Sequence, residues 1–244
     1  MVLLVTTCVG KRASGGRAML SKVYSAVLRN LYGSRLRVYR IHRTRLLSLQ
    51  QRLYGLCGHI DGIDAECLSE VCALVIRENI SHIFVDGSNL GVVVEALKYC
   101  CDGVVITVFY HNVEARFFWG NVASVKTLRS VAVLFANYIA ERKATCLSDN
   151  RICLSERDSS LLRAIYGKGA THVSPIAIED GLPHFGADPV PVSGQPPFSL
   201  FVGGNFYANR DGIAWFVRHV VPRIAIKVCI VGNGMDGMRS QLEI

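Results

Sequence analysis

A histidine and a pair of adjacent glycines mark two places in this chain where ligand chemistry could occur. His111 follows a strand-like run, and a histidine at the carboxyl end of a parallel strand faces the ligand cleft, where it can donate or accept a hydrogen bond. Gly15 and Gly16 stand between the first strand-like run and a helical pattern, so their backbone N–H groups can approach a phosphate closely. We predict a site role for His111 and an anion-facing glycine loop, with a plain surface loop as the alternative.

Polar residues near other strand ends admit both a structural and a functional interpretation. Asn112 can cap the helix that follows it, and Glu114 suits the first turn of that helix, which explains both residues without catalysis. Ser88 and Asn89 either cap the next helix or face the cleft as part of an acceptor site. Ser155, three residues before an aspartate, fits a capping box. We keep the first four residues as acceptor-side candidates.

A second glycine loop occurs late in the chain. Gly203 and Gly204 follow a strand-like run, and Asn209 or Asp211 can start the helix after them. Arg210 is either a phosphate partner or an ordinary exposed arginine. Two glycine loops that face each other across a hinge suit a diphosphate, whose charge backbone N–H groups and an arginine can meet. The chain has no Asp-x-Asp pair and no cluster with metal-ligand spacing, so no bound metal is predicted.

The elements that would position these residues alternate between strands and helices. Strand-like runs are separated by helical patterns, the strands at 3–7, 36–41, 82–86, 104–110 and 151–154 and the helices at about 18–32, 64–79, 90–100 and 125–143. This alternation is typical of a doubly wound parallel α/β sheet, in which ligands bind at the carboxyl ends of the strands. We therefore predict a Rossmann-like N-terminal domain over residues 1–173.

Proline marks the boundary of that domain. Six of the seven prolines fall between Pro175 and Pro197, which predicts an interdomain linker at 174–197. Residues 198–244 have the pattern of one βαβ unit. Because two strands and one helix are too few to bury a parallel sheet, we interpret this segment as the incomplete first portion of a second Rossmann-like domain.

Composition excludes several classes of protein. Of the 244 residues 50% are hydrophobic, and no apolar run approaches the roughly 18 residues that a membrane-spanning helix needs. The apolar N-terminal stretch has no basic residue before it and no small-residue cleavage site, so it predicts a first strand and not a signal peptide. Nine cysteines without a CxxC pair indicate reduced thiols. These features together predict a cytoplasmic protein.

The formal net charge of +8 is concentrated in a basic patch between Arg35 and Arg52 that contains no acidic residue. The patch is either a solvated face or a contact with anionic lipid headgroups or a lipid-phosphate acceptor. Leucines between the basic residues suit an interfacial helix better than a base-stacking surface, so nucleic acid is not predicted as a partner. The candidates for peripheral contact with the inner face of a membrane are Arg40, Arg43 and Arg45.

Several of these segments together resemble one enzyme family. FVGGNFYANRDGIAWFVRHVVPRI followed by VCIVGNG is similar to the start of the C-terminal nucleotide-sugar domain of GT-B-fold glycosyltransferases of the group 1 (family 4) type. HNVE, SERD and the loop of Gly15 and Gly16 are similar to parts of the N-terminal domain of the same family. The resemblance covers nearly the whole chain.

The resemblance implies a glycosyltransferase of polysaccharide or glycan biosynthesis. A sugar would pass from a nucleotide-diphosphate sugar to a hydroxyl of a glycan or lipid-linked acceptor, usually with retention of configuration and without a metal or other cofactor. It implies that His111, as the catalytic candidate, lies near the transferred sugar. It also implies that Gly15, Gly16 and the second glycine loop with Arg210 lie near the donor diphosphate, where oriented dipoles and cations would stabilise the leaving group.

Two departures from the family pattern lead to a further expectation. Gly204 stands where an arginine is often found, and the paired glutamates that hold the ribose and the donor sugar belong to a later part of the C-terminal domain than this chain reaches. We expect residues 1–244 alone to bind donor poorly and to turn over negligibly. The alternatives are a nucleotide-sugar epimerase on the same scaffold and a non-catalytic α/β module that binds a membrane surface or a partner.

Overall fold

The computed structural model describes residues 1–7, 15–41, 49–177 and 196–242, and within them the side chains of all but residues 49–52 and 241. Contacts divide the chain into two compact units, Met1–Ile178 and Glu179–Ile244. Most of the predicted linker at 174–197 lies outside the described residues, as do Arg43 and Arg45 of the basic patch.

The first unit is built on a six-stranded sheet in which every pair of neighbouring strands is parallel. Its strands are β1 (Val2–Thr6), β2 (Leu36–Arg40), β3 (His82–Asp86), β4 (Val105–Phe109), β5 (Asn150–Cys153) and β6 (His172–Val173), in the spatial order β2-β1-β3-β4-β5-β6. The chain runs outward from β1 to β2 and then returns past β1 to β3, so the topological switch point lies between β1 and β3. The predicted Rossmann-like α/β fold is confirmed.

In the described part of the first unit seven α-helices accompany these strands: α1 (Gly16–Tyr32), α2 (Leu49–Leu56), α3 (Ala65–Arg77), α4 (Gly91–Cys100), α5 (Glu114–Val125), α6 (Leu128–Leu147) and α7 (Glu156–Tyr166). Alternate residues of the central strands pack on opposite faces of the sheet. On one face Leu3 and Val5 belong to a cluster with α3 and α4, whereas on the other Val2 and Leu4 pack with Leu28 of α1. Since both faces are covered, all five residues of β1 are buried, which explains its continuous apolar sequence.

The helix predicted at 125–143 is in fact preceded by a separate helix, and the boundary falls inside the predicted range. Lys126 adopts the left-handed conformation and ends α5, and Thr127 then caps α6. The Thr127 hydroxyl accepts a hydrogen bond from the backbone N–H of Ser130, whose hydroxyl accepts one from the backbone N–H of Thr127. The apolar pattern continues through this turn and gives no sign of the break.

Helices α4 and α6 approach each other closely at Gly91. A Cβ built on this residue would overlap the carbonyl oxygen of Ala140. Only glycine therefore permits the observed separation of the two helices. The close packing brings Glu141 on α6 beside Ser88, in the short 3₁₀ turn Ser88–Leu90 that joins β3 to α4.

The second unit is a βαβ unit with its own small sheet, as the sequence predicts. Strands β7 (Phe198–Val202) and β8 (Lys227–Val231) are parallel, and α8 (Tyr207–His219) connects them before the short α9 (Arg239–Leu242). The core of this unit consists of Ile213, Val217, Met235 and Met238. Helix α8 begins at Tyr207, so the prediction that Asn209 or Asp211 starts it is wrong.

The remaining cap predictions have mixed outcomes. Ser155 caps α7 as predicted, because its hydroxyl accepts a hydrogen bond from the backbone N–H of Asp158 at 3.2 Å. The N-cap position of α4 is Leu90, whose side chain cannot accept a hydrogen bond, so neither Ser88 nor Asn89 is its cap. Ser88 instead forms a hydrogen bond with Glu141, and Asn89 forms hydrogen bonds with Arg17 and Asp61. None of the described helices is long and apolar enough to cross a bilayer.

Candidate functional site

A buried aspartate–histidine pair lies at the carboxyl ends of β3 and β4. His111 Nε2 is 2.8 Å from Asp86 Oδ1, and both side chains are buried. Thr6 at the end of β1 donates its hydroxyl to the other carboxylate oxygen of Asp86 at 2.6 Å. Burial by itself would raise the pKa of Asp86, but hydrogen bonding and charge from His111, with hydrogen bonds from Thr6 and Ser21, outweigh it and lower the pKa. Asp86 is thus held as a carboxylate that fixes the orientation of the imidazole.

The environment of the other ring nitrogen of His111 is unusual. His111 Nδ1 is buried, and no described residue forms a hydrogen bond to it. The imidazole is also tilted against the ring of Tyr24, with 6.2 Å between ring centroids. A buried polar atom without a partner is uncommon and costs free energy, so it requires an explanation. A ligand hydroxyl bound at this strand end would supply the missing partner.

Two consecutive side-chain hydrogen bonds link α1 to the ends of the strands. Arg17 Nη2 donates to Asn89 Oδ1 at 2.7 Å, and Asn89 Nδ2 donates to Asp61 Oδ2 at 2.5 Å. A Cβ on Gly87, which has a φ of +124°, would overlap Asn89 Oδ1, so glycine is required for this arrangement. Arg17 directly follows the predicted glycine loop of Gly15 and Gly16. The structure therefore joins the start of α1 to the end of β3 through one amide side chain.

A cleft of about 710 Å³ is lined in part by the hydrogen-bonded residues Arg17, Asn89 and Asp61. Its lining includes both polar side chains, namely Arg17, Asp61, Asn89, Glu114, Arg129 and Asn137, and apolar ones, namely Leu56, Ile60, Phe118, Ala132, Val133 and Ala136. This volume and this mixture of a few polar groups with an apolar wall are typical of small-molecule sites. Two of the sequence candidates, Asn89 and Glu114, contribute to the cleft.

Glu141 organises the start of α5 from a different helix. Its carboxylate is fully buried and accepts hydrogen bonds from the backbone N–H groups of Glu114 and Ala115 at 2.9 and 3.0 Å. It also accepts from the hydroxyls of Ser88 and Tyr166, each at 2.9 Å. Burial raises the pKa of Glu141, and these four hydrogen bonds oppose the rise. Glu141 therefore connects α5, α7 and the turn after β3 at one point.

The prediction that Asn112 caps α5 is wrong. The N-cap position is Val113, whose side chain cannot accept a hydrogen bond, and Asn112 is exposed. The buried carboxylate of Glu141 satisfies the first backbone N–H groups instead, because it lies at the helix N-terminus where negative charge is favourable. Ser88, also an acceptor-side candidate, is 1% exposed and donates to Glu141.

Glu114 is the cleft residue with the most strongly altered acidity. Burial and the nearby charge of Glu141 raise its pKa to about 7, and the positive charge of Arg17 opposes the rise. A carboxyl group with a pKa near 7 is half-ionised at neutral pH. It can therefore both take up and release a proton in the cleft.

Glu114 is expected to titrate with a midpoint near pH 7 when carboxyl ¹³C resonances of the glutamate-labelled chain are followed by NMR. Glu114→Gln should remove that resonance, whereas Glu66→Gln at an exposed position should leave it unchanged. Arg17→Ala should shift the midpoint upward, since the opposing positive charge is lost. A midpoint within the ordinary glutamate range, about 4 to 5, would contradict this account.

The other predicted donor-side residues are distributed over both units. Gly15 is the N-cap residue of α1 with a φ of 92°, and Gly16 is its first residue; the space around both is open. In the second unit Gly203 and Gly204 follow β7, and Asn209 Nδ2 donates to the Gly204 carbonyl at 2.9 Å.

Arginines account for the rest of the predicted set. Arg210 lies in the first turn of α8 and is 3.6 Å from the carboxylate of Asp211. Arg40 is exposed at the end of β2. Within the basic patch Arg37 forms an ion pair with Glu78 at 2.6 Å, so part of the charge that the sequence left unmatched is neutralised by a distant residue.

Sequence reasoning placed Asp86 at a strand end that points toward the cleft without selecting it as a site residue, and it missed Arg17, Asp61 and Glu141. Asp86 ends a predicted strand and could have been selected by the same argument as His111, and Arg17 directly follows the glycine pair. Asp61 and Glu141 have no local signal, because they reach the site only through the packing of the α2–α3 connection and of α6. Within the described ranges no group of three His, Cys, Asp or Glu side chains could hold a metal ion.

The fold defines an α/β protein with a six-stranded parallel sheet, compatible with a Rossmann-like domain, and a partly polar cleft lies near the carboxyl ends of its strands. Comparison of the sequence with protein-family models and with curated proteins gives no match. The function is therefore argued from the geometry of the site and from the resemblance of the motifs.

Proposed function

We propose that the chain belongs to a GT-B-type glycosyltransferase, with the first unit as its acceptor-side domain and the second unit contributing to its nucleotide-sugar site. The observation that carries the proposal is the buried, unpartnered Nδ1 of His111 at the switch-point edge of the sheet. The motif resemblance independently assigns His111 to the neighbourhood of the transferred sugar.

His111 is suited to binding a sugar hydroxyl. When its Nε2–H donates to the Asp86 carboxylate, the Nδ1 of the neutral ring is an acceptor, and in the protonated ring Nδ1 becomes a donor. A hydroxyl group can act as either donor or acceptor, so it can pair with Nδ1 in both states. The role of Asp86 is to position the imidazole, since it touches only the far side of the ring.

The cleft that Arg17, Asp61 and Asn89 help to line is suited to a polyhydroxylated acceptor. Arg17 and Asn89 supply donors and Asp61 supplies acceptors on one wall, as a molecule rich in hydroxyls requires. Glu114 can take the proton that the acceptor hydroxyl loses. The acceptor oxygen would then form its bond to the anomeric carbon, and the bonding electron pair of the sugar–phosphate bond would leave with the nucleoside diphosphate.

Nucleotide sugars are expected to shift the ring-nitrogen signals of His111. The test is a long-range ¹H–¹⁵N spectrum of the histidine-labelled full chain, recorded with millimolar UDP-glucose, UDP-N-acetylglucosamine and GDP-mannose in turn. The signals of His172, which is exposed on β6, serve as the internal reference and should not move. The millimolar concentration allows weak binding to be detected.

A matched pair of variants makes the result specific. His111→Ala should weaken binding of the responsive nucleotide sugar about tenfold in saturation-transfer NMR, the effect of losing one buried hydrogen bond worth about 1.4 kcal/mol. His172→Ala should change the affinity less than about twofold. If no sugar nucleotide in the panel moves the His111 signals, or if both variants bind equally, the glycosyltransferase assignment is wrong.

A further inference from the structure

The hairpin formed by α5 and α6 exposes large apolar side chains that have no cover in the described chain. We define the hairpin face as Trp119, Val125, Leu128, Val131 and Phe135, all of which are exposed, Leu128 by 90% and Trp119 by 61%. An apolar groove of about 400 Å³ between the two helices continues this face. Contiguous exposed apolar surface of this kind indicates an interaction site.

The distribution of residue sizes around α6 supports this interpretation. The buried side of α6 carries the small residues Ala136, Ala140 and Ala144, because its close contact with Gly91 leaves no room for larger ones. The large apolar residues lie on the exposed side, at Leu128, Val131 and Phe135. A helix that served only the core would show the opposite arrangement. The apolar exposed side therefore has another purpose.

The charges around the hairpin face are all of one sign. Every exposed charged side chain of the hairpin is basic, namely Arg116, Lys126, Arg129 and Arg142. The two carboxylates of these helices, Glu114 and Glu141, are buried. A second copy of this chain would bring two basic rims together, which electrostatic repulsion opposes. An anionic surface would instead be attracted.

We propose that the hairpin face docks on the surface of an anionic lipid bilayer. A tryptophan and aliphatic side chains surrounded by arginine and lysine are the composition of an interfacial segment, in which the apolar groups enter the headgroup boundary and the cations meet anionic lipids. This contact differs from the one predicted at Arg40, Arg43 and Arg45. It involves α5 and α6 and not the segment after β2.

Docking of the hairpin would place the candidate cleft next to the lipid surface. Arg129, Ala132 and Val133 of α6 line the cleft, one turn or less from Leu128 and Val131 of the hairpin face. If the proposed function holds, a lipid-linked acceptor would reach the cleft directly from the bilayer. The docking itself is independent of that function.

The chain contains only two tryptophans, which allows a direct test. Trp215→Phe leaves Trp119 on the hairpin as the sole tryptophan, and Trp119→Phe leaves Trp215 on α8 as the matched control. With vesicles of phosphatidylcholine and phosphatidylglycerol, the emission of Trp119 should shift to the blue and be quenched by brominated lipid chains. The emission of Trp215 should do neither.

Vesicle cosedimentation of the full chain measures how much the hairpin face contributes to the affinity for the membrane. Leu128→Asp should reduce binding to the anionic vesicles at least tenfold, whereas Ile76→Asp, at another exposed apolar position, on α3, should reduce it less than twofold. Vesicles of phosphatidylcholine alone should bind the unaltered chain at least tenfold more weakly. Leu128→Asp should leave the response of His111 to nucleotide sugars unchanged, so failure of this proposal is distinguishable from failure of the proposed function.

Several results would overturn the docking proposal. One is equal binding by Leu128→Asp and Ile76→Asp, and another is loss of binding only when Arg40, Arg43 and Arg45 are changed together to alanine. Absence of binding to either kind of vesicle would have the same consequence. Self-association in sedimentation experiments that Leu128→Asp abolishes would assign the hairpin face to a second copy of the chain instead.

Discussion

Replacing Glu141 by alanine is expected to lower the free energy of unfolding of the first unit by about 3 to 5 kcal/mol. The substitution leaves four donors without an acceptor, namely the backbone N–H groups of Glu114 and Ala115 and the hydroxyls of Ser88 and Tyr166. Each buried unsatisfied donor costs about 1 to 3 kcal/mol, and relief of the buried carboxylate offsets part of the sum.

Two controls separate the hydrogen-bond network from loss of charge. Glu141→Gln keeps the shape and one acceptor oxygen, so its cost should be about 1 to 2 kcal/mol. Glu95→Ala removes a glutamate of α4 that pairs with Lys143 at the surface, and should cost no more than about 1 kcal/mol. Urea unfolding followed by Trp119 fluorescence in the Trp215→Phe chain reports on the first unit alone. A loss below about 1 kcal/mol for Glu141→Ala would contradict the central role of this carboxylate.

Five of the six described strands of the first unit could be predicted from sequence, because both faces of the sheet are covered, whereas the two-residue strand β6 (His172–Val173) was not predicted. Continuous apolar runs such as Val2–Thr6 and Val105–Phe109 are the signature of buried parallel strands, and the predicted bounds agree with the observed ones to within about one residue. The boundary between α5 and α6 could not be predicted, because the left-handed Lys126 interrupts the backbone but not the apolar pattern. The periodicity of apolar residues indicates which positions are buried, and a single residue in the left-handed conformation does not change it.

Local caps were the least reliable part of the sequence prediction. Asn112 has the right residue type and position to cap α5, but a carboxylate that is 29 residues away along the chain, counting from Asn112 to Glu141, satisfies that helix start instead. Ser155, by contrast, caps its own helix, because its hydroxyl accepts a hydrogen bond from the backbone N–H of Asp158. A capping rule states which side chain can act, and packing decides which one does.

The candidate site was predicted only as far as topology allowed. A strand end at the sheet edge is visible in the sequence, which is why His111 and Asn89 could be selected. Arg17 and Asp61, the partners of Asn89, belong to other segments, and only the fold brings them within hydrogen-bond distance. The hairpin face was missed because the apolar residues of a helix are ordinarily assigned to the core, and the sequence does not show that these residues are exposed.

Asp86→Asn is expected to lower the free energy of unfolding by about 2 to 3 kcal/mol at pH 7, since hydrogen bonds to a charged group contribute about 1.5 to 3 kcal/mol. The carboxylate accepts from Thr6 and pairs with His111, and an amide offers one acceptor oxygen in place of two. Asp102→Asn, at an exposed position after α4, should change the stability by less than about 0.5 kcal/mol.

The pH dependence of this loss identifies its cause. Because the pKa of Asp86 is lower in the folded than in the unfolded chain, its stabilising contribution is complete above about pH 4 and is lost as the pH falls through the lowered folded value. The difference in unfolding free energy between the parent and Asp86→Asn should therefore shrink as the pH falls from about 4 through the lowered folded pKa of Asp86, while the difference for Asp102→Asn stays small throughout. A difference that stays constant over that range would mean that Asp86 acts through shape and not through its charge. Since the charge holds Nε2 of His111 and leaves Nδ1 for a ligand, the same variant should also abolish the response of His111 to nucleotide sugars.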